Sequence, residues 1–91
     1  MANIIDKFLN DHKIEYKKEE YEGMDSYIIE YKEQKVTETF SVYYDDSSYI
    51  KRITYRKKYF GIVGVKHHIE LNELLYTIET TQFIMKMCGG K

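Results

Sequence analysis

The sequence has no proline and a single cysteine, Cys88, three residues from its end. Without proline no position forbids a ladder hydrogen bond, so long unbroken strands are allowed. One cysteine excludes an internal disulfide and gives no sign of an oxidising compartment. No stretch approaches the roughly 20 apolar residues of a membrane-spanning helix. The amino end carries Asp6 and no long apolar run, unlike a secretory signal. These absences predict a cytoplasmic protein with no membrane partner. No Lys-Ser or Lys-Thr pair comes after the glycines Gly61 and Gly64, so the pattern of a phosphate loop is missing. No cofactor is expected.

What is present is a chain of 91 residues, the size of one domain with one core. Residues 1–91 are read as that domain, with 88–91 as a frayed tail. Large apolar residues keep to alternate positions in three runs: Tyr27, Ile29, Tyr31; Phe40, Val42, Tyr44; and Tyr49, Ile53, Tyr55, the last with Lys51 at the intervening alternate position. This is the spacing of half-buried strands, filled by the aromatic and β-branched residues that pleated surfaces favour. A two-residue turn at Gln34-Lys35 would pair Tyr31 with Glu38 and Tyr27 with Val42. A turn centred on Asp46-Ser47 would pair Tyr44 with Tyr49 and Phe40 with Ile53. A third around Gly23-Met24 would pair Tyr16 with Tyr31. All three keep the apolar sets on one face, although Gln34-Lys35 offers no residue that readily takes positive φ.

Before the strands, Ile4, Ile5, Phe8 and Leu9 form the stripe of a short helix, with Asn3 as its cap and Asp6 where the helix dipole favours a negative charge. The strand Lys13–Tyr21 ends in Lys17-Lys18-Glu19-Glu20, charges suited to a sheet edge. After the strands, Gly61–Val65 reads as a connector, and the boundary region 61–71 fits strand, loop or helix. Asn72 then opens a longer helix to about Met87 bearing Leu71, Leu74, Leu75, Ile78 and Met85, widened by Phe83, Ile84 and Met87. The predicted fold class is α+β in two layers: an N-terminal helix, a four-stranded antiparallel meander, and a C-terminal helix packed on one face of the sheet.

The net charge of −1 conceals an asymmetry. Residues 1–50 carry 12 acidic and 6 basic side chains, residues 51–91 carry 3 and 8, and Lys51–Lys58 supplies most of the latter. The predicted pairing sets Tyr43 opposite Ile50, Ser41 opposite Arg52 and Thr37 opposite Arg56 on the outer face, with Lys58 beyond. Tyr43, Ile50, Arg52, Arg56 and Lys58 therefore form a candidate surface for protein or nucleic acid. Glu15, Glu19, Glu20, Glu22 and Asp25 form a candidate acidic surface. His12, His67, His68 and Cys88 match no standard zinc spacing, and adjacent histidines on a strand point apart, so no metal is expected. No nucleophile stands beside a base with an orienting partner, and no enzymatic activity is expected.

Lysine outnumbers arginine 12 to 2, isoleucine and tyrosine are abundant, and alanine occurs once, the usage of an AT-rich coding sequence such as that of a low-GC bacterium or its phage. Together these features predict a phage- or mobile-element-encoded steric inhibitor of a host macromolecular complex, an anti-defence protein such as an anti-CRISPR, acting in the host cytoplasm. The alternatives are a nucleic-acid-binding module using the basic fourth strand, and a structural subunit of an oligomeric assembly, including a homodimer.

Overall fold

The computed structural model describes residues 4–87 in full and, at Cys88, the backbone. Its elements are α1 (Ile4–Asp11), β1 (Lys17–Tyr21), β2 (Met24–Tyr31), β3 (Val36–Tyr44), β4 (Ile50–Tyr59), β5 (Ile62–Val63), β6 (His67–His68) and α2 (Leu71–Cys88). The sheet is antiparallel in the order β1-β2-β3-β4-β5, with β6 also pairing β4. Both helices lie on one face, giving the two-layer α+β architecture that the periodicity predicts. The segment 61–71 resolves into β5, β6 and the helix entry. Each short strand covers two residues of the outward edge of β4: Lys58 and Tyr59 for β5, Thr54 and Tyr55 for β6.

The apolar alternation places Tyr27, Ile29, Phe40, Val42, Ile53 and Tyr55 on the inner face, where Ile5 and Leu9 of α1 and Leu74 and Ile78 of α2 close over them. Each turn, however, differs from the predicted register by two residues, a shift that preserves the face. Tyr27 lies opposite Phe40 rather than Val42, Phe40 opposite Tyr55 rather than Ile53, and Lys17 opposite Ile28. The cause is turn length. Glu22-Gly23 forms the first turn, with Gly23 at φ 74°. Lys32–Lys35 makes a four-residue turn in which Lys35 itself takes φ 56° and its N–H bonds to the Lys32 carbonyl. At the third, one Asp45 carboxylate oxygen accepts the Ser47 and Tyr49 N–H groups, and Ser48 adopts φ 67°. Tyr49, predicted to face inward, is therefore lifted into the turn and is 73% exposed.

α1 ends in a Schellman motif. The Ile14 N–H reaches back to the Leu9 carbonyl and that of Lys13 to Asn10, with Lys13 at φ 56°. Ile14 and Leu9 both enter the core, so the cap also directs the chain into the sheet. The predicted cap Asn3 falls outside the described residues. At α2 the cap is Glu70 rather than Asn72: the Leu74 N–H bonds to the Glu70 carbonyl, and the Glu73 carboxylate accepts the Glu70 N–H. This is the reciprocal arm of a capping box, with the acidic residue one turn inside the helix. Of the expected tail, Cys88 belongs to α2 and 89–91 fall outside the described residues.

Two carboxylates lie within the layer. Glu38, fully buried on the inner face between Val36 and Phe40, accepts hydroxyl protons from Tyr31, Tyr55 and Thr81, with the Lys57 ammonium 3.9 Å away. Asp6 on α1 accepts from the Tyr16 and Tyr27 hydroxyls at 3.0 and 3.3 Å and from the Lys18 ammonium at 3.0 Å. Burying a carboxylate is tolerated only with such donors. These two anchors fix each helix to the sheet with a directionality that apolar contact lacks.

Candidate binding interface

Because partners across an antiparallel ladder share a face, the register fixes what lies on the side away from the helices. Across β3 and β4 the outer rows read Tyr43-Arg52, Ser41-Thr54, Thr39-Arg56 and Thr37-Lys58. Ser26 and Ser41 continue the hydroxyl row of Thr54, and His68 ends it. Ser26, Ser41 and Thr54 are short enough to be sheltered by their longer neighbours, and the Thr54 hydroxyl oxygen is buried without a hydrogen-bond partner.

Arg52, Arg56 and Lys58 project from one face of one strand, where successive outward positions are spaced about 6.8 Å apart. All three are exposed. Among the described residues no carboxylate lies within ion-pair distance of any of them. Lys7, Lys17, Lys18 and Lys57 each have a carboxylate within 4.0 Å. Other lysines, such as Lys13, Lys32 and Lys66, also have none among the described residues, so what distinguishes Arg52, Arg56 and Lys58 is that they share one face of one strand. On the same face Lys17 is matched by Glu30 at 3.2 Å, so the positive charge is concentrated on β4. The Arg52 guanidinium stacks on the Tyr43 ring, 4.4 Å from its centroid, which braces one end of the row.

Of the predicted surface residues, Tyr43, Arg52, Arg56 and Lys58 thus occupy one face. Ile50 does not. The register breaks between Tyr43 and Tyr44, leaving Lys51 bulged and Ile50 opposite Tyr44, where both pack against the core. A bulge inserts one residue and so reverses the facing of the residues beyond it.

The predicted acidic surface is divided. Glu20 and Asp25 lie opposite one another on the helix side of the sheet, where Lys18 stands 3.4 and 3.9 Å from them. Asp25 also accepts the Tyr44 hydroxyl at 2.9 Å. Glu15, Glu19 and Glu22 are exposed elsewhere, on the approach to β1, on its outer face and in its turn. The buried carboxylates Glu38 and Asp6 are not among the residues that the sequence marks as a site. Glu38 carried a readable signal, since it alternates in phase with Val36, Phe40 and Val42.

The histidines separate as strand geometry requires. His67 faces inward with its ring centroid 5.7 Å from that of Tyr55, His68 lies opposite Thr54 on the outer face, and His12 Nδ1 lies 2.9 Å from the Phe8 carbonyl. Among the described residues no three His, Cys, Asp or Glu side chains gather as a metal site would need, and no helix is long and apolar enough to cross a membrane. A groove of about 380 Å³ runs between α2 and the β5-β6 edge, lined by Tyr55, Lys57, Tyr59, Val65, His67 and Thr77. No protein-family model, curated protein or solved structure matches this chain.

Proposed function

We propose that this chain is a small binding protein that lays its open sheet face against an acidic surface of a partner protein and acts by occlusion. The observation that carries this reading is the row Arg52, Arg56 and Lys58, three exposed cations with no carboxylate in ion-pair reach among the described residues, on a hydroxyl-lined face. Cations held on a rigid strand and left unneutralised by their own protein are available to steer and register a partner of opposite charge. The Arg52-Tyr43 stack adds an aromatic and an arginine of the kind that anchor interfaces. The division of the acidic residues favours the basic strand over the acidic set as the contact surface. The low-GC residue usage gives this reading its concrete form, an anti-defence inhibitor directed at a host complex.

A second reading, single-stranded nucleic acid on the same face, is favoured by the cation row and weakened by the aromatic content of the face. Stacking platforms present several rings on adjacent strands, whereas among the described residues Tyr43, already covered by Arg52, is the ring on the inner strands of this face and Tyr21 stands apart from it on the edge strand β1.

The test is an affinity capture from a low-GC bacterial lysate, with and without nuclease, using the native chain beside the double variant Arg52→Glu, Arg56→Glu. The proposal expects a protein retained after nuclease and lost in the variant. Nucleic acid retained, with its proteins lost on digestion and a steep salt dependence, would transfer the face to the second reading. Protein capture unchanged by the double variant would overturn both.

A further inference from the structure

α2 is apolar on two opposite sides. Leu71, Leu74, Ile78, Thr81 and Met85, alternating at three and four residues, face the sheet, and Leu74 and Ile78 are fully buried. The opposite side carries Tyr76, Thr80, Phe83 and Met87, again at intervals of four, three and four. Tyr76 is 70% exposed, Phe83 64% and Met87 67%. This is the spacing of a two-helix seam, and no element among the described residues covers it.

From this second stripe we infer that α2 pairs with α2 of a second copy, antiparallel, about a two-fold axis between Thr81 and Gln82. The stripe is self-complementary in that arrangement. Phe83 meets the small Thr80 of the second copy and Tyr76 meets Met87, so each large side chain faces a smaller or more pliable one. On one flank Glu79 falls beside Lys86 of the second copy, and the symmetry repeats the pair. On the other flank Thr77 meets Ile84. A parallel pairing would set Glu79 beside Ile84 and lose both charge matches. Glu79, 63% exposed at its side chain, lies 3.5 Å from His12 in the single chain and retains room for the lysine.

The size of the surface bounds the kind of association. Phe and Tyr rings bury about 150–250 Å² each, so Tyr76 and Phe83 together leave on the order of 200–300 Å² to cover. Ile84, Met87 and, across the groove, Val65 extend this to on the order of 600 Å² per copy, at the lower bound of a specific interface. Area does not fix affinity, but a patch at this lower bound belongs to a weak, reversible pair, to be sought at micromolar concentrations and above. The two basic faces would then point outward from a sheet-helix-helix-sheet stack, so each dimer offers two binding faces.

The experiment is sedimentation equilibrium of the full chain from about 1 to 200 µM, spanning that range. The mass should rise from 11.0 kDa toward twice that value. Phe83→Glu, at an exposed position, should hold the monomer throughout with an unchanged circular dichroism spectrum. Glu79→Lys should weaken association about tenfold through like-charge contacts, and adding Lys86→Glu should restore it. A mass fixed at the monomer value, a dimer that survives Phe83→Glu, or a charge exchange without rescue would each overturn the inference. Because Arg52→Glu, Arg56→Glu should leave the mass curve unchanged, failure of the dimer and failure of the sheet-face reading are separable.

Discussion

The Thr81 hydroxyl, near the middle of α2, donates to the Glu38 carboxylate at 3.0 Å, across 43 residues of chain. The same carboxylate accepts from Tyr31 and Tyr55, and Gln82 donates to the Tyr31 hydroxyl at 2.8 Å. From its place on β3, one glutamate thereby ties three other elements together: β2 and β4 through their tyrosines and α2 through Thr81.

Removing that carboxylate should be costly. Glu38→Ala leaves the buried Tyr55 and Thr81 hydroxyls, the half-buried Tyr31 hydroxyl and the Lys57 ammonium without their acceptor, and a loss of roughly 3 kcal/mol is expected. Glu38→Leu combined with Tyr31→Phe and Tyr55→Phe removes donors along with the acceptor, and should recover most of it. Urea denaturation of the single and triple variants measures both. Equal destabilisation of the two would show that packing, not donor satisfaction, sets the penalty.

Stability should fall in alkali. Burial, and after it the negative charge of Glu38, holds the Tyr31 and Tyr55 hydroxyls well above the ordinary tyrosine range. Burial and then the Asp25 hydrogen bond do the same at Tyr44. An unfolded tyrosine releases its proton near pH 10, at about its reference value. Below that pH both states are protonated and the contribution is complete. As pH rises beyond it, the unfolded chain sheds protons that the folded one keeps, so unfolding becomes progressively easier. The urea midpoint should be level to about pH 10 and then decline, and the decline should be shallower in Tyr55→Phe.

Lys13 offers a gain. It occupies the left-handed position of the Schellman motif at φ 56° with its side chain exposed. That conformation costs an ordinary residue about 1–2 kcal/mol, more than the unfolded-state entropy that a glycine adds. Lys13→Gly should therefore stabilise by about 0.5–1 kcal/mol, read as a higher thermal midpoint. Ser48 at φ 67° is a second such site.

Gly64 should not tolerate a side chain. A Cβ there would stand 2.7 Å from the Lys57 carbonyl oxygen, which already accepts the Gly64 N–H at 2.9 Å. Both neighbours are backbone, so neither yields cheaply, and Gly64→Ala should displace the connector from β4. Hydrogen exchange at the Gly64 and Ile69 amides would register the change.

The face of every long strand was legible from alternation, because side-chain period is a local property. The register was not, because it depends on turn length, and two of the turns place positive φ on Lys35 and Ser48, residues that carry no turn signature for it. A shift of two in each turn keeps the inner set on its face, Tyr49 excepted, while moving Arg52 from Ser41 to Tyr43. Ile50 escaped because the bulge at Lys51 has no mark in composition. Glu38 and Asp6 were hidden by the expectation that carboxylates face water, although Glu38 shares the phase of its apolar neighbours. The outward stripe of α2 was visible as extra width on its apolar side, but only the buried positions of Leu74, Ile78 and Thr81 show it to be a separate seam.

The pairing of β5 and β6 with β4 sets the order in which the molecule comes apart. Four residue pairs form these two ladders, against nine between β3 and β4. Weak, exposed pairings open first and as a unit, and here the same segment carries the entry to α2. A rare excursion would lift this connector and uncover the outward edge of Ile50–Tyr59 while α2, held by Leu74, Ile78 and the Thr81-Glu38 bond, and the remaining strands stay in place. The exposed backbone of such an intermediate would be a template for strand addition, so storage and precipitation of this protein should track the breathing of that short connector rather than its global melting.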